Sequence, residues 1–251
     1  MAFHMALFDA SIANGAVLLQ VAAVSDPVIA PAGNGLLVHQ LVPKLARVVA
    51  VGTNLTRVQL TSGSLRRFTP LDLAPVNVGT AIESPSRIYD LVDEPYDLAV
   101  NEELDAFGVQ SNAGAQRIRV AVTFCDGPFK PIRARGFSVH FVNTITLAAN
   151  AFTGFQPTFD SGLPSGTFVL VGARILSATG LFFRVIPRGG SPLRPGGMMV
   201  QAQDTYIMAR QRRGDLGEWM RFSNTTPPQI ECFAGSADTS VEGYLDLVQV
   251  A

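Results

Sequence analysis

One region of the sequence concentrates carboxylates that could bind a cation or perform acid–base chemistry. Eight of the chain's 20 acidic residues lie there: Glu83, Asp90, Asp93, Glu94, Asp97, Glu102, Glu103 and Asp105. Oxygen-rich loops bind calcium, and the candidate ligands here are Asp90, Asp93 and Asp97. Their spacing matches no known calcium loop, and nothing marks out a carboxylate pair at a sugar-cleaving separation. The sequence therefore predicts a solvated acidic surface without a bound metal.

The other residues that could do chemistry stand alone in the sequence. The histidines His4, His39 and His140 are far apart, and the last two lie in apolar runs that predict strands. A lone strand histidine is more often structural than a metal ligand. Cys125 and Cys232 are too few for a disulfide scaffold, so we expect them to be small buried hydrophobic residues.

The motifs of common catalytic sites are missing from the sequence. It contains no G-x-S-x-G, G-x-x-x-x-G-K-[ST], G-x-G-x-x-G or H-E-x-x-H motif. It also lacks the closely spaced pair H-x-H that a double-domain cupin needs for its metal. We therefore predict that the protein is not an enzyme and uses no cofactor.

Arginine is the dominant basic residue, since only two of the 19 basic residues are lysines. Arginine makes planar, multi-donor contacts and tolerates partial burial better than lysine, as subunit interfaces require. A genome rich in arginine codons would give the same bias. The candidate interface residues are Arg47, Arg57, Arg174, Arg184, Arg210, Arg212 and Arg213.

The segment RQRRGDLGEW, residues 210–219, concentrates three of these arginines ahead of Asp215. A phosphate or RNA site is one interpretation. The tripeptide Arg213-Gly214-Asp215 also occurs in integrin ligands, although a three-residue match often arises by chance. The net charge of −1 gives no bulk attraction to nucleic acid. We favour pairing of these arginines with the acidic region of the other half or of a neighbouring subunit.

The composition favours a folded chain with large contact surfaces. Hydrophobic residues make up 47% and charged residues 16% of the 251 positions, and the mean hydropathy is +0.26. No run reaches the roughly 18 apolar residues of a membrane-spanning helix. The first fifteen residues, MAFHMALFDASIANG, lack the features of a signal peptide and predict a short arm. Subunit interfaces are the simplest place for the apolar excess.

One strand pattern occurs twice, half a chain apart. ARVVAVGTNLTRVQ, residues 46–59, returns as ARILSATGLFFRVI, residues 173–186, at an offset of 127 with two arginines matched. At the same offset RIRVAVTF, residues 117–124, falls on YLDLVQVA, residues 244–251, with no identity but a shared β pattern. Two copies of one β-fold explain both windows.

Short Val- and Leu-rich runs separated by glycine and proline predict strands from end to end. The predicted strands are residues 15–24, 36–42, 44–51, 56–62, 137–150, 166–176, 180–186, 197–209 and 228–235. Residues 86–107 break the pattern and predict a turn or two of helix, interrupted by Pro95.

Each half has room for about eight strands, which predicts an all-β chain of two tandem eight-stranded jelly-roll β-sandwiches. An immunoglobulin-like sandwich fits the length almost as well, but its Cys–Trp–Cys signature is absent. The predicted domains are residues 1–127, with the short N-terminal arm, and residues 136–251. The proline-containing segment 128–135 is the predicted linker.

Two tandem sandwiches in an apolar chain without a catalytic set resemble the double jelly-roll major capsid proteins of tailless icosahedral viruses and bacteriophages, the lineage that includes adenovirus. The resemblance is architectural, covers the whole chain and rests on no motif. It implies homotrimers whose six sandwiches approximate a hexagon and tile an icosahedral shell. It also implies synthesis in the host cytoplasm, a place in the virion, contacts with other capsid proteins and an internal membrane, and no specific nucleic-acid binding.

Other functions fit the same fold class. The main alternative is a tandem β-sandwich that binds carbohydrate or a receptor, as in an attachment or spike protein. One Trp and four Tyr offer it few aromatic platforms. A secreted hydrolase is another alternative, and the acidic cluster in residues 83–105 is the one feature of the sequence that supports it. A minor structural protein of the virion would share the fold but occupy another position.

Overall fold

Every named secondary-structure element of the computed structural model is a β-strand. The structure describes residues 2–52, 54–65, 71–73, 76–77, 88–189, 191–199 and 210–250. They form two compact units. The N-terminal unit is His4–Pro128, and the C-terminal unit is Phe129–Ala251 together with Met1–Phe3.

The first half of the described chain contains twelve strands in two sheets. They are β1 (Phe3–Ile12), β2 (Gly15–Val21), β3 (Pro31–Ala32), β4 (Gly35–Leu37), β5 (Lys44–Gly52), β6 (Leu55–Thr61), β7 (Leu71–Leu73), β8 (Val76–Asn77), β9 (Ile88–Asp90), β10 (Tyr96–Asp97), β11 (Glu103–Gln110) and β12 (Gln116–Cys125). In one sheet β12 lies between β1 and β5, and the other edge of β5 pairs in succession with β10, β9 and β8. In the other sheet β11 lies between β2 and β6, and β7 pairs with β6.

Two local additions complete this unit. The hairpin β3–β4 extends the edge of β11 beyond β2. The three short strands β8, β9 and β10 together occupy one edge position. With the hairpin set aside and these three counted as one, the unit has eight strands in the orders 1-8-3-6 and 2-7-4-5.

The second half has the same order without any adjustment. Its strands are β13 (Phe137–Leu147), β14 (Phe152–Phe155), β15 (Thr167–Leu176), β16 (Gly180–Ile186), β17 (Gly196–Met198), β18 (Met220–Ser223), β19 (Gln229–Ala234) and β20 (Asp238–Gln249). The sheets run β13-β20-β15-β18 and β14-β19-β16-β17, again 1-8-3-6 and 2-7-4-5. Two facing four-stranded antiparallel sheets in this order are a jelly roll. The predicted fold class, two tandem jelly-roll sandwiches, is confirmed.

Residue type explains which strands are buried on one face and which on both. β11 alternates exposed or half-buried residues with buried ones, as a strand with one core face does. β5 and β16 are rich in Val, Leu, Ile and Phe and are buried almost throughout. Asn54 takes φ 52° in the turn that joins β5 to β6, a conformation that asparagine tolerates better than most residues.

The core of each unit lies between its two sheets. In the C-terminal unit the ring of Phe141 on β13 lies 6.2 Å from that of Phe155 on β14. In the N-terminal unit a Cβ at Gly108 on β11 would come 2.6 Å from Cδ1 of Ile118 on β12. The glycine therefore lets the two sheets approach closely at that point.

The repeated sequence falls on equivalent strands, but one offset does not hold for both of its windows. The first window covers the third and fourth strands of both units, where Arg47 lies on β5 and Arg174 on β15. On the eighth strands, Arg47 is opposite Thr123 and Arg174 is opposite Tyr244. A constant offset of 127 would instead match Thr123 with Val250. Both windows therefore identify equivalent strands, but they cannot both be in register at that offset.

Both units cover the open edge of their first strand in the same way. The segment that follows the second strand crosses over and pairs with the edge of the first. We call residues 22–26 the N-terminal cover and residues 156–160 the C-terminal cover. Their β-bridges are Ala23 to Phe8 and Phe159 to Phe141. Covering an edge removes unpaired backbone groups that would otherwise pair with another chain.

Several local predictions were wrong. The N-terminal arm is not an arm, because Phe3–Ile12 forms β1 and most of its residues are buried. The strand at 36–42 ends at Leu37, and His39 lies in the following loop, where its Nδ1 accepts a hydrogen bond from Leu41 N at 3.2 Å. The helical turn in 86–107 is replaced, in the described part from residue 88, by β9, β10 and the start of β11.

The predicted linker 128–135 lies at the division between the units. The division falls after Pro128, and Phe129 is buried in the C-terminal unit. Ile132 N donates to Gly214 O at 2.8 Å within the same unit. The linker and the domain limits 1–127 and 136–251 stay predictions. Most of predicted strand 197–209 lies outside the described residues.

Gln211 stabilises the edge of the second sheet through its side chain. This residue is 1% exposed; its Oε1 accepts from Met198 N at 2.8 Å and its Nε2 donates to Met198 O at 3.0 Å. Gln211→Ala leaves two buried backbone groups unpaired and should lower the free energy of unfolding by about 2–4 kcal/mol. Urea unfolding followed by the fluorescence of Trp219, the chain's one tryptophan, measures this unit.

The matched control for this substitution is Gln249→Ala. Gln249 is exposed, and its Nε2 donates to Ser165 O at 3.1 Å. We expect a change within about 0.5 kcal/mol for the control. An equally small change for Gln211→Ala would show that its amide does not hold Met198.

Candidate functional site

Two of the four repeated arginines are internal charges of their own sandwich. Arg47 is 4% exposed, and its Nη2 lies 3.6 Å from Asp90 Oδ2. Arg184 is 2% exposed, and its Nη2 donates to Glu231 Oε2 at 2.8 Å. A guanidinium removed from water needs such a partner, because an unpaired buried charge is costly. Both side chains thus serve the interior of the unit that contains them.

Arg184, on β16, lies between an aromatic ring and a carboxylate. Its Cζ is 3.7 Å from the centroid of the Phe152 ring, close enough for a cation–π contact. Glu231 accepts from Arg184 and also from Arg194, whose Nη1 lies 2.7 Å from both carboxylate oxygens. One carboxylate therefore forms ion pairs with two guanidinium groups.

The other two repeated arginines are more open to solvent. Arg57 Nε and Nη2 each donate to the Asp72 carboxylate at 2.9 Å, and the hydrogen bonds and charge of Asp72 raise the pKa of Arg57. Arg174 is half-buried on β15, opposite Tyr244 on β20. An interface role for the arginines stays a prediction, and Arg57 offers it an exposed side chain.

The segment Arg210–Arg213 serves mainly the C-terminal unit. Arg212 Nη2 donates to Asp246 Oδ1 at 2.9 Å. Burial pushes the pKa of Asp246 up, but hydrogen bonds from Arg212 and Ser138 outweigh it and hold that pKa below its ordinary value. Arg210 is half-buried, and Arg213 is exposed with a φ of 57°. Arg213 is therefore the interface candidate of this segment with the most accessible guanidinium.

The Arg213-Gly214-Asp215 tripeptide is a tightly held turn. Gly214 N donates to Val171 O at 3.0 Å, and a Cβ on this glycine would lie 2.2 Å from Ile132 O. The Asp215 carboxylate is bonded to Arg133. A receptor that reads an open arginine–glycine–aspartate loop would find the glycine covered and the acid already paired.

The three calcium candidates do not share a site. Asp90 pairs with the buried Arg47, and Asp97 pairs with Lys44. Asp93 is exposed in the turn between β9 and β10. Among the residues that the structure describes, no three His, Cys, Asp or Glu side chains are placed to hold one metal ion.

Glu102, another member of the acidic cluster, has a structural role that the sequence does not reveal. Its carboxylate accepts from Ser62 Oγ at 3.1 Å, from Ser64 N at 3.0 Å and from Ser64 Oγ at 2.8 Å. Ser64 Oγ in turn accepts from Ala99 N at 3.2 Å. This network joins the loop after β6 to the loop before β11.

The two cysteines are unsuited to nucleophilic chemistry. Cys125 and Cys232 are both free and buried. Burial raises the pKa of Cys125 to about 12 and also raises the pKa of Cys232. Because the thiolate is the reactive form, both thiols are inert near neutral pH.

Apolar side chains are exposed on both units. In the N-terminal unit they are Val17, Leu19, Leu41, Tyr89 and Val100, and in the C-terminal unit Phe137, Val142 and Val250. Val17 is 71% exposed and lies between Leu19 and Gly15, where the pairing of β2 with β11 shifts register. The edge strand β2 therefore presents apolar side chains to solvent beside this irregularity.

The single tryptophan lies beside an open cavity of the C-terminal unit but is not an exposed platform. The cavity is about 290 Å³ and is lined in part by Phe3, Leu193 and Trp219. Trp219 is 6% exposed, stacks on Phe183 at 6.1 Å and meets Phe3 edge to face at 5.3 Å. A sugar ring could not stack on a tryptophan enclosed in this way.

A second cavity, of about 360 Å³, is lined by Arg213, Asp246 and Phe137 among others. The carboxylate of Asp246 in this cavity is already paired with Arg212.

Across the described ranges, no helix is both long and apolar enough to cross a membrane.

Comparison with known proteins gives distant structural neighbours. No protein-family model and no curated protein matches the sequence. A xanthan lyase from Paenibacillus is 15% identical with a TM-score of 0.26; the match covers 98% of this chain and 25% of the lyase. The major capsid protein P2 from bacteriophage PM2 is 9% identical with a TM-score of 0.26, and 98% of each chain is covered. The STIV MCP is 9% identical with a TM-score of 0.22, and 97% of each chain is covered.

This chain spans about a quarter of the length of the xanthan lyase. At these TM-scores the comparisons carry no argument about function.

The pair between Glu231 and Arg184 should be important for the stability of the C-terminal unit. Glu231→Gln removes the charge that neutralises a buried guanidinium and should lower the free energy of unfolding by about 3 kcal/mol. The matched control is Glu218→Gln, whose partner Arg221 is exposed at the surface. It should change stability by less than about 1 kcal/mol. Equal effects in urea unfolding would contradict the structural role of Glu231.

Proposed function

We propose that the protein is a structural virion protein, a major capsid protein whose trimers tile an icosahedral shell. The observation that carries the proposal is the repetition of one jelly-roll order, 1-8-3-6 and 2-7-4-5, in both units of a single chain. Each chain supplies two sandwiches of the same topology, so three chains supply six. A threefold assembly then approximates sixfold packing, which is the geometry that tiles the faces of an icosahedral shell between its fivefold vertices.

The chemistry of the described residues supports a structural role over an enzymatic one. The cysteine thiols are held in their protonated form, and two of the three calcium candidates are paired with cations. A catalyst needs a reactive group whose pKa suits its task and a partner within hydrogen-bonding reach. The proposal is therefore of a protein that is not an enzyme.

Exposed apolar side chains on both units support self-association. A trimer and a lattice would need contacts from each sandwich of the chain, and each unit supplies exposed apolar residues. The partners we propose are other copies of this chain, further capsid proteins and an internal membrane, with no specific nucleic-acid binding. The proposed location is the virion, after synthesis in the host cytoplasm, and the proposed domains are residues 1–127 and 136–251.

The mass of the purified protein in solution tests the trimer. Multi-angle light scattering should give a stable species of about three times the 26.8 kDa chain. Higher salt should not dissociate it, because apolar contacts strengthen where exposed ion pairs are screened. A monodisperse 26.8 kDa monomer at all concentrations would contradict the proposal and favour a binding module.

A further inference from the structure

Both units fasten the cover of their first strand with a histidine–aspartate pair. In the N-terminal unit His4 Nε2 lies 3.1 Å from Asp26 Oδ2, and both side chains are almost fully buried. In the C-terminal unit His140 Nδ1 is bonded to Asp160. In each case the histidine belongs to the first strand and the aspartate belongs to the cover.

The two pairs lie at different positions of the same pairing. His140 and Asp160 are directly opposite, because Asp160 N also donates to His140 O at 3.1 Å. The equivalent backbone bond of the N-terminal unit, from Val24 N to Leu7 O at 2.8 Å, involves neither histidine nor aspartate. The two histidine–aspartate pairs therefore do not occupy equivalent positions of the repeated fold. Each unit has its pair at a different point along the first strand.

His140 has an environment that suits its protonated form. Its Nδ1 bonds Asp160, and its Nε2 lies 3.1 Å from Glu242 Oε1 on β20. Only the imidazolium has an N–H for each carboxylate, whereas the neutral ring turns a lone pair toward one of them. The hydrogen bond to Asp160, followed by that to Glu242, raises the pKa of His140.

The remaining charged and titratable groups near His140 do not reverse this preference. The ring of Tyr244 on β20 packs against the imidazole with centroids 4.6 Å apart. Beyond it, Arg174 on β15 is opposite Tyr244, and Arg212 is paired with Asp246. The two carboxylates in direct contact are thus the groups that decide the protonation of His140.

We propose that protonated His140 is a pH-sensitive clasp that holds the C-terminal cover, residues 156–160, on the edge of β13, and that loss of its proton loosens the cover. Because the folded protein binds this proton more tightly than the unfolded chain, the clasp is complete below the ordinary imidazole pKa of about 6.5. Its contribution is lost as the pH rises through the raised value.

Loosening would affect contacts between chains. The free edge of β13 would present unpaired backbone donors and acceptors to a neighbour. Phe137 and Val142, two of the exposed apolar residues, lie on this strand. The clasp itself is a property of the single chain and does not depend on the proposed capsid role.

Hydrogen–deuterium exchange of the full-length protein between pH 5.5 and 9 tests the clasp. With intrinsic exchange rates divided out, the protection factor of residues 156–160 should fall roughly two- to fivefold as the pH rises, as expected for an exposed ion pair. The strand β16, which contains no histidine, is the internal reference. Its protection should stay constant over the same range.

Two variants separate the clasp from a general effect of pH. His140→Gln should hold residues 156–160 at the low protection of the high-pH state throughout. His39→Gln, in an exposed loop, should behave like the wild type. Protection that is independent of pH in the wild type, or an unchanged fall in His140→Gln, would overturn the proposal.

If His140→Gln does not fold, a measurement on the wild-type protein tests the clasp instead. Nuclear magnetic resonance titration of the three imidazole rings follows each histidine directly. A pKa of His140 clearly above 6.5 that returns toward 6.5 in Glu242→Gln is the expected result. A value at or below 6.5 in the wild type would overturn the clasp.

Discussion

The pairing of the last strand with the first and third strands is the constraint on which each unit depends. β12 lies between β1 and β5, and β20 lies between β13 and β15. The chain must therefore complete a whole half before the central strand of one sheet is in place. Such long-range pairing is slow to form and fixes where one folding unit ends and the next begins. The rest of the architecture, including the covers over the first strands, follows from this closure.

This closure of the sheets also explains why two of the repeated arginines, Arg47 and Arg184, are buried and paired within their own unit. Once a strand is buried on both faces, a charged residue on it needs an internal partner, and Arg47 and Arg184 find Asp90 and Glu231. Such pairs contribute little net stability compared with apolar packing, but their loss is costly. Each pair joins two neighbouring strands of one sheet, β5 with β9 and β16 with β19. Arg57 and Arg213, which are exposed, remain available for contacts with other chains.

The long strands could be predicted from the sequence because they are continuous runs of residues that favour buried β-strands. The runs 44–51, 56–62 and 180–186 are rich in Val, Ile, Leu and Phe, and the observed β5, β6 and β16 lie within one residue of them. The short strands β8, β9 and β10 could not be predicted, since two or three residues carry no periodicity. Among the described residues, each of them pairs with β5. β1 was missed because a strand buried on both faces lacks the alternation that marks a half-exposed one.

The contacts of the individual charged residues could not be predicted, because their partners are distant in the sequence. The burial of Arg184 depends on Glu231, 47 residues further along the chain, and no local pattern links the two. The same is true of His140, whose partners Asp160 and Glu242 are brought to it by the strand order. The duplication could be predicted because both halves repeat the same pattern of apolar runs separated by glycine and proline. A single offset cannot hold for every strand, because the connections between strands differ in length between the copies.

The central claim is that the two like sandwiches of each chain build a lattice unit together. Single-particle cryo-electron microscopy of the assembled protein tests it most directly. We predict a threefold particle with six sandwiches around its axis, in which the N-terminal and C-terminal units alternate. A reconstruction in which the two units of a chain occupy unrelated positions, or in which fivefold rings form from one unit only, would contradict the account.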